Sequence, residues 1–178
     1  MTIHSLSADA GMAAQAAAPV RTPAKAAFAG KEEMVRRSTA IAVVEITKVE
    51  EVEGKGSHWT YRQRATAVVK TLLKGSLPKD APFAIFGDET FICARCHFEP
   101  GRYLLFLTED KAPDGSGMLV GSNWHLSVRP ITADPEKPGQ GDRVEWYAND
   151  QDYTLAPAPL ADVLAEVRKL VAGERATK

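Results

Sequence analysis

No apolar run in this chain approaches the roughly 18 residues that a membrane helix needs, so no membrane span is expected. Cysteine is scarce: two residues, Cys93 and Cys96, allow at most one intrachain disulfide and exclude a disulfide-built scaffold. Neither charge sign dominates. Twenty-two Lys and Arg against 23 Asp and Glu leave a net charge of −1, without the basic excess of a nucleic-acid binder. There is no G-x-S-x-G, no H-E-x-x-H and no Gly-rich phosphate loop. The four histidines are scattered, and the acidic pairs Asp88-Glu89 and Glu109-Asp110 fall at strand ends, where such residues are usually solvated. No repeat of 20–50 residues marks a propeller or solenoid. Catalytic residues are therefore not expected, and neither is a cofactor.

What is present is a β-rich pattern. Residues 1–27 are rich in alanine, with Pro19 and Pro23, and lack the leucine-rich core of a secretory signal; a tail or linker is expected there. A single domain is expected over 28–173. A short helix is read over 30–39, its Glu32 and Glu33 preceding Arg36 and Arg37 as the helix dipole favours. β-branched "AIAVVEITKVEEVE", 40–53, reads as a strand, and Gly54 and Gly56 mark the turn after it. In 58–75, Trp59, Tyr61, Gln63, Ala65, Ala67 and Val69 alternate with Arg62, Arg64, Thr66 and Lys70. Residues 81–88 give a short strand. The run Tyr103-Leu104-Leu105-Phe106-Leu107 is apolar on both faces, as in a buried central strand. Further strands are read at "MLVGS", at 123–131 with Trp124, Leu126 and Val128 against His125, Ser127 and Arg129, and at 143–150 with Val144 and Trp146 on one face. Residues 132–142 read as a loop.

The last element is the clearest. Leu160, Val163, Leu164, Val167, Leu170 and Val171 form one helical stripe, with Pro159 at its start and Gly173 at its expected end. Strands punctuated by turns and followed by one amphipathic helix predict a mainly β fold. That fold is an OB-like closed or partly open antiparallel β-barrel with the C-terminal α-helix packed on it.

Cys93-Ala-Arg-Cys96-His97 is the motif with most chemistry in it, and four readings compete. Haem attachment would use both cysteines, His97 and a distal ligand such as Met118 or His125. Zinc would need four ligands, with His58, His97 or His125 completing the cysteine pair. A reactive dithiol would want its first cysteine at a helix N-terminus, whereas this one runs into Pro100-Gly101 and a strand. The plainest reading is a short-range Cys93–Cys96 disulfide, or two buried thiols, shaping the turn before the central strand. Elsewhere, Trp59, Tyr61, Trp124 and Trp146 are a candidate aromatic binding face, against the commoner fate of such residues as core. Arg62, Arg64, Lys70, Arg129 and Arg143 would be the lining of any single-stranded nucleic-acid groove, a reading that the balanced charge opposes.

With these residues in view, the chain resembles the bacterial relatives of the netrin-like and TIMP-like domains. The resemblance spans roughly residues 34–172 and rests on Lys74-Gly75 after the long strand and on Phe98-Glu-Pro-Gly101-x-Tyr103-Leu-Leu-Phe106-Leu107. It implies an OB-type barrel, a periplasmic or extracellular location and a non-enzymatic role with a protein partner. The animal inhibitors of that group chelate a protease metal through an N-terminal cysteine. No cysteine precedes residue 93 here, so that mechanism does not carry over.

Overall fold

The computed structural model describes residues 29–55, 61–87, 97–112, 114–134, 141–149 and 154–176. Among these residues eight strands and two α-helices follow one another as α1 (Lys31–Arg37), β1 (Ala40–Lys55), β2 (Tyr61–Lys74), β3 (Phe83–Gly87), β4 (Gly101–Lys111), β5 (Gly117–Gly121), β6 (Val128–Ala133), β7 (Asp142–Tyr147), β8 (Leu155–Pro159) and α2 (Leu160–Ala176). A 3-10 turn, Trp124–Ser127, links β5 to β6.

Five strands close into a barrel in the order β1-β2-β3-β5-β4, with β4 pairing back onto β1 from Ala40↔Leu107 to Ile46↔Gly101. Five is the strand number of an OB-type barrel. The seam between β3 and β5 is its thinnest point, a parallel bridge at Phe86↔Val120. β6, β7 and β8 extend the sheet outward from β4.

Alternation explains why β1 and β4 are apolar on both faces. Ala40, Ala42, Val44 and Ile46 of β1 point into the barrel with Tyr103, Leu105 and Leu107 of β4, meeting Ala65, Ala67 and Ile85. Alanine recurs because a five-stranded barrel leaves little room inside. The intervening Ile41, Val43, Leu104 and Phe106 face the other way, onto a second core shared with α1, α2 and β7. In that core Leu160, Val163, Val167 and Val171 of α2 are buried, and Leu164 and Leu170 pack at its margin. Each fully buried aliphatic side chain contributes roughly 1.5–3 kcal/mol, so this stripe is what holds α2 on the sheet.

Two local readings are corrected and one strand is added. The alternation expected through 123–131 breaks at the 3-10 turn, and Ser127 and Arg129, placed on a polar face, are both buried. β8 lies in a stretch for which no element is expected, and it carries Pro157 and Pro159. Among the described residues it pairs only with β7 and so lies at the sheet margin, where proline's missing N–H breaks no ladder. The helix does not stop at Gly173: it runs to Ala176, and Glu174 in its last turn is tied to Lys74 of β2 at 2.6 Å.

Candidate functional surface

The polar groups nearest the core are largely committed to the fold. Arg129 is 1% exposed. Its guanidinium lies 5.3 Å from the Phe106 ring centre and 4.8 Å from those of Trp146 and Tyr147, a cation enclosed by three aromatic rings. Nε donates to the Leu126 carbonyl and Nη1 to that of Glu145, while Nη2 has no hydrogen-bond partner among the described residues. Burial pushes this guanidinium down to about 10; the Tyr147 phenol and the Glu145 carboxylate act in the opposite direction. Arg129 stays charged at neutral pH, in the interior, and lines no surface groove.

Around it the N-terminal end of the domain is fastened down. The Tyr147 hydroxyl donates to the Ala29 carbonyl at 2.7 Å, and the Ala29 amide donates to Asn123 Oδ1 at 3.1 Å. On α2, Glu166 accepts from both Lys31 Nζ and Trp146 Nε1 at 2.6 Å. Lys74 donates to the Val35 carbonyl at 2.7 Å as well as to Glu174. A cleft of about 190 Å³ beside it, bounded by Thr39, Gly75, Val171 and Arg175, is too small for most ligands.

Two members of the candidate aromatic face, Trp146 and Tyr61, each pack into an apolar cluster. Trp146 is interior, stacked on Phe106 at 6.1 Å between ring centres. Tyr61 is half-buried against Phe86, Met118, Val120 and Ala112, which also places Met118 in a small apolar cluster. Trp124 sits on the 3-10 turn. Trp59, Cys93 and Cys96 lie outside the described residues, so the disulfide, haem and zinc readings fall on that part of the chain. His97 is half-buried, and the next residue, Phe98, is buried, its amide donating to Gln63 Oε1 at 2.9 Å. Gln63 thus fastens the chain after the cysteine motif to the inward face of β2. A glutamine among alanines on that face was the visible sign of this role. Among the described residues, no three His, Cys, Asp or Glu side chains are grouped as metal ligands.

The β1–β2 arm presents an exposed surface. β4 leaves β1 at Ile46, but β1 continues to Lys55 beside β2. Thr47 is an extra residue in the ladder, a bulge between Ile46↔Ala67 and Lys48↔Thr66. Beyond it the pairs Lys48↔Thr66 to Glu51↔Gln63 are regular, and the other side of β2 is occupied by β3 from Gln63↔Gly87 to Ala67↔Phe83. The outward side chains carry charge of both signs. Glu50 accepts from Lys48 at 2.6 Å and from Arg64 at 3.2 Å, and Glu45 pairs with Lys70 at 2.5 Å. Of the five cations that would line a groove, Arg64 and Lys70 each contact a carboxylate and Arg143 is held by Asp134 and the Pro157 carbonyl.

No protein-family model matches the chain, nor does any curated protein or any solved structure.

Proposed function

We propose that this is a non-enzymatic interaction domain that binds a protein partner through its β1–β2 arm. The observation that carries the reading is the course of β1. Its first half is buried on both faces and serves the barrel, while residues 48–53 run past the closure with a mixed-charge, partly exposed surface. Burial of a strand is costly to forgo, and residues extended beyond a core that is already complete are available for contact. Support also comes from buried Arg129 and part-buried Lys74 and Glu166, whose hydrogen bonds pack one element against the next. The resemblance to netrin-like and TIMP-like domains, and with it a periplasmic or extracellular location and a Cys93–Cys96 disulfide, belongs to the same proposal.

The test is a photocrosslinking scan of the full chain in its own cell. A photoreactive amino acid is placed singly at exposed positions of β1, β2, β4 and α2. One discrete adduct obtained from Lys48, Glu51, Arg62 and Arg64 but not from α2 supports the reading; adducts confined to α2 or β4 overturn it. Cell fractionation and intact mass before and after reduction check the location and the disulfide.

A further inference from the structure

We infer that the open edge of β1, from Lys48 to Glu53, takes an extended basic segment of the partner as an added strand. The inference rests on the binding-domain reading and specifies its chemistry. Beyond Ile46, no described strand pairs with β1 on the side that β4 has left. There the barrel wall is locally the three strands β1, β2 and β3, with β1 outermost. Alternate backbone N–H and C=O groups of an outermost strand point away from the sheet and are available to pair with another chain. Residues 40–55 contain no proline to block that edge.

Charge decides what can pair there. The ion pairs of Glu45 and Glu50 are internal to the arm. Glu51 and Glu53 are exposed and make no ion pair among the described residues. Charged side chains are a usual protection of a sheet edge, but the protection is selective by sign. A second copy of this chain, laid along the same edge, would bring a second segment of net negative charge, with Glu50, Glu51 and Glu53 against a single Lys48, and like charges facing across a ladder are destabilising. A strand carrying Lys or Arg at alternate positions meets the opposite situation: its backbone completes the ladder, and its cations reach Glu51 and Glu53. The edge therefore favours a basic, extended partner over a second copy of itself.

The experiment uses the full chain, labelled with 15N, and two capped hexapeptides, Lys-Val-Lys-Val-Lys-Val and Glu-Val-Glu-Val-Glu-Val. The basic peptide is expected to slow amide exchange at alternate residues within 48–53 and to leave α2 and β7 unchanged. The double variant Glu51→Lys, Glu53→Lys should bind it at least tenfold more weakly and should bind the acidic peptide instead. Should that variant fail to fold, Glu51→Gln, Glu53→Gln gives the same comparison with smaller charge change. Protection elsewhere on the chain, or an affinity unchanged by the charge substitutions, overturns the inference. If the photocrosslinked partner of the arm persists unchanged in the double variant, the binding-domain reading stands and the strand-addition inference alone falls.

Discussion

The Trp146 indole N–H donates to the Glu166 carboxylate at 2.6 Å, joining β7 to α2 at the point where Lys31 of α1 also reaches the same carboxylate. One acidic side chain therefore registers three elements. Glu166→Ala should cost about 1–3 kcal/mol, because it leaves the part-buried indole N–H without its acceptor. Glu166→Gln keeps an acceptor and should cost less. Urea unfolding followed by Trp fluorescence measures both, and equal losses for the two would contradict this role.

The helix stripe divides into core and margin. Val167 is fully buried, whereas Leu164 is only half-buried. Val167→Ala removes two buried carbons and should cost about 2 kcal/mol once the cavity is included. Leu164→Ala removes more carbon but should cost no more than that, since water and neighbouring side chains can fill the site. Midpoints of chemical unfolding for the pair check the order.

Arg129 can be tested by separating volume from charge. Arg129→Ala empties the aromatic enclosure and leaves the Leu126 and Glu145 carbonyls without donors, so a loss of roughly 2–5 kcal/mol is expected. Arg129→Met fills most of the space and removes a buried charge that is costly to desolvate, so its loss should be clearly smaller. Thermal melts that place the two variants together would show that the cation, not the packing, is what matters.

Gly75 has φ of +76°, and a Cβ there would lie 2.1 Å from the Thr39 carbonyl oxygen. Both strain and collision involve backbone, so a side chain cannot move aside. Gly75→Ala should cost more than about 2 kcal/mol, the left-handed strain alone being roughly 1–3. Gly117 has nothing within 4 Å of its would-be Cβ, and Gly117→Ala should change stability by less than about 1 kcal/mol. Soluble yield and melting temperature distinguish the two directly.

Hydrogen bonding to Arg36, aided by Arg37, holds the Glu33 carboxyl below its ordinary value of 4.5. A carboxylate whose folded value is lowered stabilises the fold above the unfolded value and loses that contribution as pH falls through the folded one. Glu33→Gln should therefore be slightly less stable than the parent at pH 7, by a few tenths of a kcal/mol for a surface ion pair that water screens, and equal to it near pH 2. Paired urea titrations at the two pH values give the difference.

The amino-acid sequence by itself determined the elements whose pattern is carried by their own residues. The both-faced apolar run 103–107, the alternation from Tyr61 to Ala67 and the stripe from Leu160 to Val171 each declare their period locally, and each is present. Where a residue's environment depends on a distant partner, only the tertiary structure decided. Arg129 alternates with apolar neighbours as a surface residue would, yet Phe106, Trp146 and Tyr147 converge on it from two other strands. Trp146 has an aromatic side chain fit for a binding face, but β7 turns it onto Phe106 and Glu166. β8 becomes a strand because β7 offers it an edge that tolerates proline, and α2 passes Gly173 because Lys74 waits for Glu174. Periodicity is a property of a segment, whereas burial of a charge and exposure of an edge are properties of which segments meet.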